Sequence, residues 1–528
     1  MLIRTKTIKV AGNDAVPVIC ECEITKGLGI LLVGLADMAV KESLLRTVTA
    51  LEASGYGIPG KKIVVNLAPA DLRKDGTGYD LPIALAMLAA SGQVELPGLE
   101  EAVILGELAL DGQLRQVPGA VQAFFHCKDA SNGVKTLVLP FEDAKDLYAA
   151  FGDEVENGGI RVYGAMSLPE AINALKGSLP AIQERIEKEN SLQESKQDFW
   201  SHIRGNELAR RALEIAAAGG HNMLLIGAPG SGKATIARAL MELLPPSDAK
   251  AYEETAKVYS ATGDLKRYLL CRGGHPFRAP HYSASLSAML GGGSGDAIRP
   301  GEVSLANNGV LYMDEFACWP KAATEALRGP LEDGKVVISR LRSKVEFPSR
   351  FQLVAAMNPC PCGYHGEGDR CTCTPSQRQL YMSRLSTPVY DRIDLQVWTH
   401  QTHPEGVENL PENVDEVRKR VAAAREIQKL RFGGTDRLNF DMSAKEIELF
   451  CPRDENVKEL LEKVIVRLGL SVRAYLRILR IARTIADLDG RENINTNDVC
   501  EAAGFRFLDR LDNSLEARVM QNSIIDFS

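Results

Sequence analysis

The segment Gly227-Ala-Pro-Gly-Ser-Gly-Lys233 lies between the run NMLLIG, patterned as a buried strand, and the run ATIARALMELL, which has helical spacing. A glycine-rich turn in that context suits phosphate. Its backbone N–H groups can point inward around phosphate oxygens, and the helix N-terminus adds partial positive charge. Lys233 is placed to reach the β and γ phosphates of a nucleotide. The candidate contacts are Gly227, Pro229, Gly230, Ser231, Gly232, Lys233, Ala234 and Thr235. Position 234 is where a Ser or Thr hydroxyl ligates Mg²⁺, and Ala234 has none. Thr235 cannot simply replace it, because one residue along a helix rotates a side chain by about 100°. Binding is therefore expected to survive better than hydrolysis.

Other residues could complete such a site. GVLYMDE is an apolar strand ending in Asp314 and Glu315, a pair that can hold Mg²⁺ and orient or deprotonate an attacking water. Asn358 ends the strand FQLVAAMN, where its amide could position water. Arg392 in DRIDL and Arg473 in SVRAY offer cations, although most arginines on helices are merely solvated. Cys360-Pro-Cys362 and Cys371-Thr-Cys373 follow at once, separated by the turn-rich octet GYHGEGDR. Four thiolates can close a tetrahedral Zn²⁺ site and stabilise a loop with little core of its own, with His365 as a fallback ligand. Four separate reduced thiols are the alternative. Cys20-Glu-Cys22 puts both thiols on one strand face with no second pair nearby, which reads as ordinary core.

These elements sit in a chain of 528 residues, enough for several domains each with its own core. The formal net charge of −7 excludes a polycation that would coat DNA through its average charge, so any nucleic-acid site must be local. One stretch qualifies. KVVISRLRSKVEFPSR, residues 335–350, carries five basic residues and one acidic, and its strand–turn–strand pattern puts Arg340, Arg342 and Lys344 at or near a hairpin tip. No run of 18 apolar residues exists to span a bilayer, and the amino terminus turns polar before a signal-peptide core could form. A cytoplasmic protein is expected. Eleven cysteines in such a chain do not suggest a disulfide framework.

Residues 1–178 alternate β-branched runs with helical stretches such as Ala39 to Ser54 and Leu81 to Ser91. Residues 179–198 form a polar linker, 199–400 read as α/β, and 401–528 are helical. Across these regions the chain resembles the magnesium-chelatase-like AAA+ ATPases of the ComM/YifB type. The stretches that carry the resemblance include VNLAPADLRKDG, GELALDG, RALEIAAAGGHN, PFRAPH, RPGEVSLANNGVL, PLEDGKVVISR, VAAMNPCPCGY, DRIDL and RAYLRILRIARTIADL. It implies a multidomain α/β protein: a Lon-protease-like α+β amino-terminal domain, an AAA+ P-loop core and a carboxyl-terminal helical lid, assembled as a homo-oligomeric ring, a hexamer. It implies ATP and Mg²⁺ as cofactors and branched or single-stranded DNA as partner. Lys233 becomes the Walker A lysine, Asp314 and Glu315 the Walker B pair, and Asn358 sensor 1. Arg392 becomes the finger that reaches a neighbour's nucleotide, Arg473 sensor 2, and Arg384 a further trans-acting arginine. The 335–350 hairpin is implied to project into the ring's pore. The chain departs from the family at Ala234, at Tyr282 after His281, and after Glu315.

A Lon-like domain raises the question of a Ser–Lys protease, in which a lysine deprotonates a serine. The serine position falls on Gly78 and the lysine position on or near Gln122, so the dyad is absent. Ser43, Ser54 and Ser91 read as polar surface. His275, Arg278 and His281 in GGHPFRAPH belong to an insertion near a pore or interface, with His281 equally readable as a core histidine. The expected function is an ATP-dependent DNA motor for branch migration in recombination or natural transformation. The alternatives are a nucleotide-binding scaffold with weakened hydrolysis and the motor subunit of a metal-insertion chelatase. Against the last, no D-x-S-x-S metal-site motif is present.

Overall fold

The runs MLLIG, VLYM and QLVAAM show no alternation of polar and apolar residues, the pattern of strands covered on both faces. In the computed structural model they form the strands Met223–Gly227, Val310–Met313 and Gln352–Met357, with every residue buried. The structure describes residues 2–34, 38–74, 76–186, 198–293, 298–339, 344–385, 387–390, 392–401, 411–468 and 470–506. Together with Phe277–Arg278 and Leu395–Thr399 the three strands make a five-stranded, all-parallel sheet. Its spatial order is Phe277–Arg278, Val310–Met313, Gln352–Met357, Met223–Gly227, Leu395–Thr399. The helices Glu207–Gly219 and Lys233–Leu243 bury their apolar stripes on one face of it.

The amino-terminal region is a seven-stranded mixed sheet, in the order Gly29–Val33, Lys62–Ala68, Asp14–Thr25, Leu2–Ala11, Ala102–Ile104, Thr136–Pro140, Arg161–Ala165. Long antiparallel pairing joins Leu2–Ala11 to Asp14–Thr25, whose alternation buries Cys20 and Cys22 on the core face. The helix Asp80–Ser91 is apolar nearly all round and is buried accordingly.

The carboxyl-terminal region is helical, with Val414–Arg431, Ala444–Phe450, Glu455–Leu468, Val472–Leu488 and Thr496–Gly504. Helix Val472–Leu488 buries Ile478, Leu479, Ile481 and Ile485 against the same core as the parallel sheet. Each such side chain contributes about 1.5–3 kcal/mol relative to exposure. Arg425 Nε and Gln428 Nε2 of the first of these helices donate to the carbonyls of Ala217 and Ala218, at 2.8 and 3.0 Å. No helix among the described residues is long and apolar enough to cross a membrane.

One helix ties the two sheets together. Ala249–Thr262 starts at an Asp248 cap and packs Ala256 and Tyr259 into the apolar cluster under the amino-terminal sheet. Gly119 N–H and Val121 N–H donate to Ser260, Gln122 Nε2 donates to Lys257 O at 2.8 Å, and Asn13 Nδ2 donates to Glu254 O at 3.0 Å. From its other side, Ala251 O and Glu254 accept from Asn308 and Asn307, just before the strand Val310–Met313.

Candidate functional site

The strand Met223–Gly227 delivers the glycine-rich loop to the sheet's carboxyl end, and the helix Lys233–Leu243 begins at once. Gly230 and Gly232 both have φ of +79°, left-handed conformations that let the loop turn its backbone inward. The Lys233 ammonium donates to Gly227 O at 2.8 Å, Ala228 O at 3.0 Å and Asn358 Oδ1 at 3.2 Å. Burial lowers its pKa from the usual lysine value, and the Asp314 carboxylate opposes the shift. A half-buried cation folded into its own loop fits a polyanion that would replace those carbonyls. Asn358 arrives there by register, since Met357 pairs with Ile226. Ser231 Oγ and Thr399 Oγ1 lie 2.8 Å apart, which ties the loop to the edge strand.

Asp314 and Glu315 are exposed where Val310–Met313 ends, two strands from the loop. Glu315 has φ of +48°, a left-handed backbone rare for a non-glycine residue, and its N–H donates to Asp314 Oδ1 at 2.8 Å. Trp319 Nε1 holds the Asp314 carbonyl, also at 2.8 Å. Ala234 is exposed, and Thr235, half-buried, follows it on the helix. The loop amides and the Lys233 ammonium fit a nucleotide's phosphates, and the carboxylates of Asp314 and Glu315 could serve a divalent metal.

The four cysteines meet. Their sulfurs all lie within 4.8 Å of one another, with Cys360–Cys362 at 3.3 Å, Cys360–Cys371 at 3.8 Å and Cys362–Cys371 at 3.7 Å. His365 is not part of the group.

Arg392 and Arg473 are brought together, away from the phosphate loop. Arg392 O accepts from Asn222 Nδ2, and Asn222 precedes Met223, at the opposite end of the strand that feeds the loop. Five strand residues put these ends about 16 Å apart. Both arginines line a cavity of about 390 Å³ with Leu331, Glu332, Arg477 and Arg480. Arg392 pairs with Glu332, and burial, with Arg328, Arg473 and Arg477 nearby, lowers its pKa. Beneath the cavity, Asp394 is fully buried and faces His221 at 3.4 Å and Arg477 at 3.5 Å. Burial alone would raise the Asp394 carboxyl, but the hydrogen bond to His221 and the nearby arginines hold it below its ordinary value.

The hairpin exists as Lys335–Ser339 paired with Lys344–Pro348, closing on the pair Ser339–Lys344. Arg340 and Arg342 lie outside the described residues. Lys344 is exposed and, like Lys335, pairs with Glu346, at 3.4 and 2.9 Å.

Three family models match the chain along its length. The family described as magnesium chelatase, subunit ChlI, matches residues 199–407, its carboxyl-terminal model matches 411–506, and the model described as subunit ChlI of Mg-chelatase matches 20–143. YifB of Escherichia coli is 41% identical over 507 residues, covering 95% of this chain and 96% of that protein. The chain belongs to the magnesium-chelatase-like ComM/YifB family. Competence protein ComM of Haemophilus influenzae is 40% identical over 508 residues, again 95% and 96% of the two chains. A magnesium-chelatase subunit ChlI homolog of Methanocaldococcus jannaschii is 25% identical over 330 residues, 57% of this chain and 82% of that one. The five-stranded sheet and helical region are thus those of an AAA+ protein of this family.

Several residues of this ComM/YifB-type chain play parts other than those read from sequence. Ser43 is not polar surface: it is fully buried and donates to Asp80, which also accepts two bonds from Arg46. His275 and Arg278 are structural. The first is buried between Asn308 O and Pro245 O, and the second forms a two-bond pair with Glu302 at 2.7 Å. His281 is exposed rather than core. At the Lon-type positions, Gly78 faces Val117, and Gln122 is spent on the carbonyl of Lys257. Sequence reading missed Gln401, which bonds Pro229 O in the phosphate loop, and Arg477 and Arg480 in the arginine cavity. The helical spacing of Arg473, Arg477 and Arg480 was the available signal for the last two.

Proposed function

We propose that the chain is the subunit of an ATP-driven ring motor that moves DNA, acting in branch migration during recombination or DNA uptake in the cytoplasm. The observation that carries this reading is the division of the site. Lys233, Asn358 and Asp314 gather at one end of the central strand, while Arg392 and Arg473 share a cavity at the other. An arginine based at the far end of the strand from its own phosphate loop serves a nucleotide best when a second copy presents its loop to that face. A homo-oligomeric ring, here a hexamer, repeats that contact around a closed circle.

In this reading Lys233 exchanges its carbonyl partners for phosphate oxygens, and Asn358 and Glu315 orient the attacking water. Asp314 would hold Mg²⁺, which when bound would neutralise charge on the phosphates. Arg392 and Arg473, with Arg384 as a further candidate, meet the transferred group from the neighbouring subunit. The Lon-like region 1–178 serves as a docking platform, not a protease. The name of the ComM relative favours DNA as the polymer, and the basic hairpin of Arg340, Arg342 and Lys344 is the surface to grip its phosphates without reading sequence. Zn²⁺ is assigned to the cysteine cluster. A Zn–S bond of about 2.3 Å sets a tetrahedral S···S edge of about 3.8 Å, near the spacings of Cys371 from Cys360 and Cys362.

ATP turnover measured with and without branched DNA tests the motor. Turnover should rise with DNA, and Arg340→Ala/Arg342→Ala/Lys344→Ala should lose that rise and flatten the salt dependence of DNA binding while still binding ATP. DNA affinity unchanged in the triple variant would move the DNA surface elsewhere. A second reading, a nucleotide-binding scaffold, is favoured by Ala234 alone. It predicts turnover that is slow and indifferent to DNA.

A further inference from the structure

The cysteine loop has almost nothing of its own to hold it. From residue 361 to 374 the described side chains include no large buried apolar group, and the only regular structure is the short 3-10 turn Gly368–Arg370. Yet its sulfurs converge within 4.8 Å, and backbone N–H groups face them. Cys362 N–H points at Cys373 Sγ at 3.4 Å, and the Gly363 and His365 amides face Cys360. No sulfur pair approaches the roughly 2.0 Å of a disulfide. Such a cage around thiolates suits a soft divalent cation that organises the loop.

The same loop leans on the nucleotide cradle. Gly363 has φ of +86°, and a Cβ there would lie 2.8 Å from Pro229 Cδ, so the turn after Cys362 touches the glycine-rich loop directly. On the other flank Gln401 makes a bridge: Arg370 Nη1 donates to its Oε1 at 3.1 Å, and its Nε2 donates to Pro229 O. Arg370 itself is fixed over the Tyr364 ring, 4.2 Å from the centroid. Asn358, which holds the ammonium of Lys233, lies two residues before Cys360.

We infer that a zinc ion held by Cys360, Cys362, Cys371 and Cys373 is a working part of the nucleotide site, because it keeps Gly363 and Arg370 where they brace Pro229 and hold the phosphate loop open for nucleotide. The inference rests on the zinc assignment above and adds a consequence to it. Metal loading sets nucleotide affinity although the metal touches no nucleotide. Without the ion the loop loses its organising centre, and the fraction of chains with a competent cradle falls, which lowers apparent affinity by that fraction.

The full chain, purified without added zinc, tests this. Metal content is measured together with binding of a fluorescent ATP analogue and amide exchange across 227–233, before and after treatment with a zinc-selective chelator that leaves Mg²⁺ in solution. About one zinc per chain is expected. Its removal should weaken nucleotide binding by about tenfold and speed exchange in the loop, and added ZnCl₂ should restore both. Gln401→Ala, which keeps all four thiols, should retain zinc, bind nucleotide more weakly and respond less to chelation. A chain without zinc overturns the zinc assignment and this inference together. Stoichiometric zinc whose removal leaves affinity and exchange unchanged overturns the inference alone. Where chelation unfolds the chain, the zinc-replete Gln401→Ala variant decides: native nucleotide affinity in it overturns the brace.

Discussion

Ala234→Thr isolates the one position where an otherwise intact phosphate loop departs from what metal chemistry asks. Ala234 is exposed in the first turn of the helix Lys233–Leu243, so a hydroxyl and a methyl have room there. The replacement costs about 0.5 kcal/mol of helix propensity. On the proposed reading Asp314 would be the metal's protein ligand, and it lies close enough to Lys233 to oppose the effect of burial on it. A hydroxyl at 234 would offer the metal a second protein ligand and so order it against the phosphates. If that ordering contributes about 1.4–2.8 kcal/mol in the transition state, turnover rises by about 10- to 100-fold. Nucleotide affinity should change little, because the backbone cradle and Lys233 make the ground-state contacts. Steady-state ATP turnover and analogue binding, measured on both proteins, read the two effects separately. Thr235→Ala is the control: its side chain points about 100° away, so the native rate should survive. A native chain already turning over at about 1 s⁻¹ or faster, with Ala234→Thr unchanged, would refute the reasoning and put other ligands on the metal.

Two further outcomes follow from groups outside the loop. Asp143, buried beside Asp146 where the amino-terminal sheet meets the Ser260–Leu265 turn, is pushed up to about 7 by burial, against the hydrogen bond it accepts from Val117 N–H. A raised carboxyl favours folding in its protonated form, so stability is full below the unfolded pKa near 4 and falls as pH rises toward 7. About 2 kcal/mol should go between pH 5.5 and 7, and Asp143→Asn should flatten that slope in thermal melts. If Arg392 serves a neighbour's nucleotide, inactive Lys233→Ala and Arg392→Ala subunits should regain activity when mixed, since some interfaces then pair an intact loop with an intact arginine. Mixtures as inactive as their components would place Arg392 in its own site or outside catalysis.

The parallel sheet was legible because MLLIG, VLYM and QLVAAM carry a pattern that only doubly covered strands tolerate. The cysteines were legible because spacing alone put two pairs on a short turn-rich loop, and the structure closes them into one group. What sequence could not convey were partners set by packing between distant segments. Ser43 looked like a helix-surface serine because nothing near it indicates Asp80, which reaches it across the turn of the amino-terminal core. His275 and Arg278 sit in a motif that invites a functional reading, yet their bonds go to Pro245, Asn308 and Glu302. Gln401 follows the last strand with no motif around it, and only the fold lays its amide against Pro229.

The arginine cavity joins the helical region to the base of the central strand. Arg473, Arg477 and Arg480 share one face of Val472–Leu488, and Arg477 reaches down to Asp394, two residues after Arg392. Asp394 is also held by His221, whose other ring nitrogen faces Thr484 of the same helix at 2.8 Å. Arg506 closes the junction by donating to the carbonyls of Ile393 and Asp394. Moving the helix therefore moves the strand end that carries Arg392, because these buried groups have no water to take the place of a lost partner. On the ring reading, a neighbour's phosphate that draws Arg392 and Arg473 pulls on a helix bonded to the base of this subunit's own central strand. The strand ends in this subunit's phosphate loop. On that reading the path from one nucleotide to the next runs through these side chains, and their exchange for apolar ones should uncouple neighbouring sites, read as lost cooperativity of ATP turnover, while leaving each able to bind ATP.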